Sequence, residues 1–325
     1  MYPTTLDTAE KTAMNPFMPK VSVVIPIYNG EADLPELLEC LFAQTYPSEH
    51  VEYLLVDNNS SDRTFAQLQT AAAHTHINLI PLQEANIQSS YAARNTGIRH
   101  ATGEIIAFTD ADCRPQPHWL ESLIQPFIES DVAIVAGEII ALSGHTILEK
   151  FADHHQTLSQ KHTLAHKFYP YGQTANLAIR RTALEKVGLF RPYLSTGGDA
   201  DICWRIQKEN IGRIEFVPDA IVKHRHRATL RELASQWRRY GRSNRYLHEL
   251  HGIDLMREVS LRECLYVIGR WLFRDLPKYV IKAFFGQASL IDILDTPIGI
   301  YTARSRYIGQ KDAKLPEQAT MIDWL

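Results

Sequence analysis

The chain has 325 residues, 45% of them hydrophobic and 22% charged, with a formal net charge of -3 at pH 7. These proportions are ordinary for a soluble globular protein, and the length suits one large α/β domain with an appended segment, or two domains. No apolar run approaches the roughly 18 residues of a membrane span. The four cysteines, Cys40, Cys113, Cys203 and Cys264, form no CxxC pair, so free thiols in a reducing compartment are expected rather than a metal cluster.

The first stretch, MYPTTLDTAEKTAMNPFMPK, lacks a basic start followed by an apolar core. It does not read as a signal peptide, and residues 1–19 are expected to be a flexible lead-in. VSVVIPIYNGE is a buried strand, β-branched from Val21 to Ile25 and ended by Pro26. ADLPELLECLFAQTY has helical spacing, with Asp33 placed to cap it. VEYLLVDNNSSD is a second strand ending in Asp57. RTFAQLQTAAAH is helical, INLIPLQ a third strand, SSYAARNTGIRHA a helix, EIIAFTDADCRP a fourth strand and HWLESLIQPFIES a helix. Strands and helices alternate with short links, which predicts an α/β fold with a doubly wound, mostly parallel sheet and helices on both faces. Ligands bind such sheets beyond the carboxyl ends of the strands. Pro26, Tyr28, Asp57, Asp110 and Asp112 should all sit at that edge.

Further along, VAIVAGEII reads as a strand. Residues 143–171 are rich in His, Lys and Gln, and their His154-His155 pair lacks acidic company. TANLAIRRTALEKVGLF is a strand leading into a helix, GGDADICWRIQKEN a helix, and RIEFVPDAIVKHRHR a strand pair or strand–turn–strand. From Thr229 the chain is helical. Basic residues outnumber acidic ones between Trp204 and Lys311, which points to an anionic partner, either a phosphate-bearing substrate or a membrane surface.

Asp110 and Asp112 stand one residue apart after an apolar strand. Two carboxylates at that spacing project to one side of an extended backbone and raise each other's pKa. A hard divalent cation, Mg²⁺ or Mn²⁺, relieves that repulsion and takes carboxylates together with phosphate oxygens. A capped turn before RPQPHW would carry the same pair without a metal.

Five motifs in order, VVIPIYNGE, LLVDNNSSDRT, ARNTGIRHATGEIIAFTDADC, GQTANLAIRRTALEKVGLF and GGDADICWR, resemble family 2 glycosyltransferases of the GT-A fold. The resemblance runs from Val21 to about His226. Residues 229–325 read as a basic amphipathic helical extension, in which the aromatic and basic residues of 261–285 fit either a peripheral membrane anchor or a helical hairpin packed on the catalytic domain; the resemblance itself implies a GT-A catalytic domain over 20–228. It implies nucleotide-sugar contacts at Pro26, Tyr28, Glu31, Asp57, Arg94, Asp110 and Asp112, a metal at Asp112, and a base at Asp199 that takes the acceptor hydroxyl's proton during an inverting displacement. His224, or else His226, completes the metal site in this reading, while Arg225 and Arg227 are alternatives facing the diphosphate. The family's usual Glu before the base is here Gly198, so Asp201 is held in reserve as catalytic acid–base. Asp57 could equally begin an Asx turn, and Asp199 could cap its helix.

QWRRY, from Gln236 to Tyr240, resembles the Q-x-x-R-W signature of processive members, so Gln236 and Arg239 are expected to touch acceptor or diphosphate. The implied partners are a nucleotide-sugar donor and a glycan or lipid-linked acceptor, with no nucleic acid. The implied location is the cytoplasm or the cytoplasmic face of a membrane. Two other readings stand beside this one. A nucleotidyltransferase would need a glycine-rich loop after the first strand, where PIYNGEADLP has one glycine. A non-catalytic sugar-nucleotide-binding relative fits the loss of the Glu.

Overall fold

The computed structural model describes residues 17–325, so of the expected lead-in 1–19 all but the last three residues lie outside the described residues. The chain runs β1 (Val21–Ile27), α1 (Leu34–Phe42), β2 (Val51–Asp57), α2 (Thr64–His74), β3 (Leu79–Gln83), α3 (Ser90–His100), β4 (Ile105–Phe108), β5 (Cys113–Pro115) and α4 (Trp119–Ile124). It continues with β6 (Val132–Ala141), α5 (Ile147–His154), α6 (Gln160–Leu164), β7 (Leu177–Arg180), α7 (Arg181–Val187), α8 (Gly198–Lys208) and β8 (Arg213–His224). Four helices follow: α9 (Leu230–His251), α10 (Leu261–Arg270), α11 (Leu276–Phe284) and α12 (Leu290–Asp312).

The strands form one sheet in the order β3-β2-β1-β4-β7-β6-β8-β5. The first four are parallel. The chain steps outward from β1 to β3 and returns as β4 on the other side of β1, so a crevice opens where the winding reverses. The other half is mixed. β7 runs antiparallel to β4 and β6, β8 runs parallel to β6, and β5 runs antiparallel to β8. The segment expected as a strand pair is the single strand β8, whose register against β6 jumps from Gly137↔Val217 to Glu138↔Ile221. Pro218 lies in that jump and has no N–H to give a ladder.

Side chains alternate along β1. Val21, Val23, Ile25 and Ile27 join one core with Leu34, Leu37 and Leu41 of α1 and Trp119 and Leu123 of α4. Val24 joins the other with Ile98 of α3, Leu184 of α7 and Ile202 of α8. Both faces are covered, and each fully buried aliphatic side chain contributes about 1.5–3 kcal/mol.

Residues 229–325 do not stand apart from this body. Tyr246 of α9, Ala313 and Ala319 are buried in the second core, and the Leu189 amide donates to the Asp323 carbonyl at 2.7 Å. α9 and α12 cross at glycines: a Cβ on Gly241 would overlap the Arg306 carbonyl, and one on Gly309 the Arg238 carbonyl. α10 and α11 form one continuous helical segment through a π turn at Trp271–Asp275. That turn lies one helical turn before Pro277, which cannot donate to the carbonyl of Phe273.

Candidate active site

A cleft of about 1290 Å³ lies beyond the β1/β4 switch, walled on its far side by α9 and α12. Asp57, the last residue of β2, is 1% exposed. Its Oδ2 receives Gln83 Nε2 at 3.4 Å, and its Oδ1 has no partner. The turn that Asp57 was a candidate to begin is closed instead by Asp62, whose Oδ1 accepts from the Thr64 amide at 3.0 Å. Pro26 is buried in β1 beside β2, and Tyr28 is 57% exposed; Pro26, Tyr28, Asp57 and Asp112 are not among the residues that line the cleft, whereas Arg94, Asp110, Asp199 and His224 are. Glu31 is paired with Arg63 and does not line the cleft. Asp33 stands at the start of α1 without a capping bond, its carboxylate receiving Arg114 Nη2 at 2.9 Å.

Asp110 and Asp112 take different partners. The chain leaves the extended conformation after Phe108 and turns, so the alternation rule for a strand no longer applies. Asp110 accepts from Arg94 Nη2 at 2.5 Å, while Asp112 faces His224 Nε2 at 3.3 Å and Arg227 at 3.8 Å. Burial works against the Asp112 charge, but the hydrogen bond to His224 and the charges of His224 and Arg227 outweigh it and hold the carboxyl well below its ordinary range. His224 shows the reciprocal effect: burial lowers its pKa, the Asp112 hydrogen bond and charge raise it, and the net direction is up. The expected mutual repulsion of the two acids is thus replaced by two separate charge pairs.

Arg94, on α3, is 3% exposed, and its Nε has no partner. His224 lies at the end of β8, and its Nδ1 sits 2.8 Å from the Arg225 carbonyl. A carbonyl only accepts, so Nδ1 carries the proton and Nε2 is the atom turned to Asp112. Cys113 completes a group of possible donors within 4.8 Å, but burial pushes its thiol well up, leaving a neutral sulfur. His226 is buried, and burial followed by the His224 charge lowers its pKa. Arg225 turns to Asp33 at 3.5 Å.

Asp199 lies in the first turn of α8 and accepts from Thr174 Oγ1 at 3.0 Å. Burial raises its pKa; Arg94 opposes the shift and Asp110 adds to it. The helix can begin here because Gly197 takes φ +84°, a conformation open to glycine. The departure at Gly198 has a steric partner. A Cβ there would run into the Tyr91 ring at 2.7 Å, and the Gly198 amide donates to the Tyr91 hydroxyl at 2.9 Å.

Asp201, two residues on, faces away from the cleft. It is fully buried and receives Arg191 Nε at 3.0 Å, Arg205 Nε at 3.0 Å and His251 Nε2 at 2.9 Å. Burial disfavours its charge, but the His251 hydrogen bond and the two guanidinium charges outweigh that and place its pKa well below the usual range. Three charged or polar donors hold its two oxygens, and it is fully buried and does not line the cleft, so it is committed to an ion cluster and not to an acceptor.

Gln236 and Arg239 both line the cleft from α9, and Gln236 Nε2 donates to Tyr240 Oη at 3.1 Å. His155 does find acidic company, Asp295 of α12 at 2.6 Å across 140 residues. Tyr91, Thr174, Tyr171 and Arg306 also line the cleft and were not singled out from the sequence. Thr174 was legible in principle, inside GQTANLAIRR; Arg306 comes from a helix whose docking no local pattern gives.

A family model described as Glycosyl transferase family 2 matches residues 22–193. The chain is 34% identical over 251 residues to the glycosyltransferase AglE of Haloferax volcanii, covering 76% of this chain and 80% of that protein. It is 31% identical over 228 residues to the pre-mycofactocin glycosyltransferase of Mycobacterium tuberculosis, covering 69% of this chain but 46% of that protein. Among solved structures, the mannosyltransferase PcManGT from Pyrobaculum calidifontis, in complex with GDP-Man and Mn2+, superposes with a TM-score of 0.61 at 21% identity over 91% of this chain and 87% of its own. TarS of S. aureus, in complex with UDP-GlcNAc, gives 0.51 at 17% identity over 92% and 95%. The structural likenesses establish the GT-A architecture, and the match over more than half of the chain, with the relative at 34% identity, establishes the lineage. The protein belongs to glycosyl transferase family 2 and is a glycosyltransferase.

Proposed function

We propose that the protein transfers a sugar, with inversion, from a nucleoside-diphosphate sugar to a hydroxyl of a glycan or lipid-linked glycan, residues 20–228 forming the catalytic unit and 229–325 closing the cleft. The observation that carries this reading is the meeting, at the edge of one cleft, of the Arg94–Asp110 pair, the Asp112–His224 pair and the uncompensated carboxylate of Asp199. The unpartnered Oδ1 of Asp57 and Nε of Arg94 supply a buried acceptor and a buried donor. Unsatisfied buried polar atoms are rare without a ligand or water, and these suit the edges of a base and a diphosphate. Pro26 and Tyr28 flank the same nucleotide position, and Gln236 and Arg239 face the diphosphate and acceptor from α9.

A divalent cation is expected with such a donor, and the residues present fit one. A carboxylate suits either Mn²⁺ or Mg²⁺ and an imidazole suits the softer Mn²⁺ of the two, and a ligating His commonly gives its other N–H to a backbone carbonyl, as His224 does to Arg225. Asp112 and His224 Nε2 would hold the ion, and a cation held there would supply positive charge for the diphosphate leaving group. Asp199 receives the acceptor proton as the new bond forms to the anomeric carbon and the bond to the diphosphate oxygen breaks. Its raised pKa brings it nearer neutrality, which strengthens it as a base. Arg94 and Arg239 stabilise the leaving group.

A thermal-shift screen against UDP-, GDP-, TDP- and CMP-sugars, with Mn²⁺ and with EDTA, tests the reading. A shift for one nucleotide class that disappears with EDTA is expected. No shift with any donor in either condition would overturn it in favour of a non-catalytic relative.

A further inference from the structure

The segment from Leu261 to Phe284 is helical throughout, yet it buries little of its surface. No helix of the described residues is long and apolar enough to cross a membrane. Three rows run along this segment. Cys264, Val267, Ile268, Trp271 and Leu276 are half-buried, and Trp271 Nε1 donates to the Ile293 carbonyl of α12 at 2.9 Å. Leu261, Leu265, Phe273, Val280 and Phe284 are exposed at helical spacings, Leu265 at 73%, Phe273 at 82% and Phe284 at 86%. Arg270, Arg274, Lys278 and Lys282 recur every four residues and are all exposed, one face of a helix. The first two stand near Asp275, at 3.7 and 3.8 Å; Lys278 and Lys282 pair with no acid among the described residues. Large aromatic and aliphatic side chains this open are not a solvated surface.

We propose that this segment, running from α10 through the π turn into α11, is an interfacial membrane anchor that lies in the plane of an anionic bilayer. The apolar row enters the headgroup–acyl boundary while the basic row meets lipid phosphates. A strictly α-helical turn would swing the rows of α10 and α11 out of line. The wider π turn resets the phase, so Leu265, Phe273 and Phe284 can enter one surface together. α12 is shared: Ile293 holds the anchor while Asp295, Thr302 and Arg306 line the cleft. The cleft is therefore about one helix diameter, roughly 10 Å, from the anchor, which suits an acceptor carried in the bilayer. The row of cations favours lipid over a second copy of the chain, whose identical row would repel it.

The test uses the full chain and no turnover, so it stands or falls apart from the catalytic reading. Co-sedimentation is measured with phosphatidylcholine vesicles and with vesicles containing 30 mol% phosphatidylglycerol, at 50 and 500 mM salt, together with the extra quenching by brominated lipids that Phe273→Trp adds to the wild-type signal. Binding to the anionic vesicles is expected. Lys278→Glu/Lys282→Glu should weaken it at least tenfold, and Phe273→Ser/Phe284→Ser should abolish it while far-UV circular dichroism is unchanged. Equal binding by all three proteins, or no binding by the wild type, overturns the proposal. A wild type that is dimeric by light scattering and that Phe273→Ser/Phe284→Ser makes monomeric, without vesicle binding, also overturns it and assigns the surface to self-association.

Discussion

Asp199→Asn isolates the proposed base. The side chain is held by Thr174 Oγ1 at 3.0 Å and the Thr174 amide at 3.4 Å. The Asn oxygen can accept from the Thr174 amide while its NH2 donates to Thr174 Oγ1, whose hydroxyl turns to accept, so geometry is preserved while the proton acceptor is removed. General-base catalysis is worth about 10²- to 10⁴-fold, or about 2.7–5.4 kcal/mol at 1.36 kcal/mol per decade. Donor affinity should not change. The stability effect has a definite sign. Burial raises the folded-state pKa above the unfolded value near 3.9. Whatever stability the group lends is present below that value and is lost as pH rises through the folded pKa. At pH 7 the ionised carboxylate therefore opposes folding, and Asn should leave Tm unchanged or higher. The acid limb of kcat in the wild type should lie above the ordinary Asp range for the same reason. The assays are single-turnover transfer with donor titration, and calorimetry at pH 7. Transfer within threefold of wild type, or a fall in donor affinity and Tm that accounts for lost activity, would refute the assignment.

Asp201→Asn should do the opposite. It strips the counter-charge from buried Arg191 and Arg205, which costs about 3–5 kcal/mol. For a chain this size that is a Tm loss of about 4–7 °C from an unfolding entropy of roughly 2.1 cal/mol/K per residue, read by calorimetry at pH 7. Its folded pKa is depressed, so the wild-type advantage is present above about pH 4 and shrinks as pH falls below it. Asp112→Asn should abolish the Mn²⁺ dependence of donor binding measured by titration calorimetry; donor affinity equal in Mn²⁺ and EDTA for the wild type itself would defeat the metal assignment. Gly309→Val drives side-chain atoms into the Arg238 carbonyl and should destabilise by about 1–3 kcal/mol or more in urea. Gly299→Ala, with nothing within 4 Å of its Cβ, should be neutral or stabilising by up to about 1 kcal/mol.

The sequence by itself determined the α/β character and the carriers of chemistry. The runs at Val21, Val51 and Ile105 have no polar face and must be buried on both sides, and the acids that end them must then lie at the carboxyl edge of a parallel sheet. That logic is local, and it put Asp57, Asp110 and Asp112 at that edge; Asp199, which ends none of these strands, was reached only through the resemblance of GGDADICWR. What two nearby residues do was not local. Asp110 and Asp112 part company because the chain turns after β4, and His224, more than a hundred residues away, decides where Asp112 points. Asp199 and Asp201 look interchangeable in GGDADICWR. Arg205 is a local i,i+4 partner of Asp201 inside that motif, but Arg191 and His251 come from other segments, and the three together converge on Asp201 and leave Asp199 facing the cleft. Gly198 reads as a loss until the Tyr91 ring is seen filling its place. A charge or a ring is set by what folds against it, and those partners arrive from distances that no short pattern records.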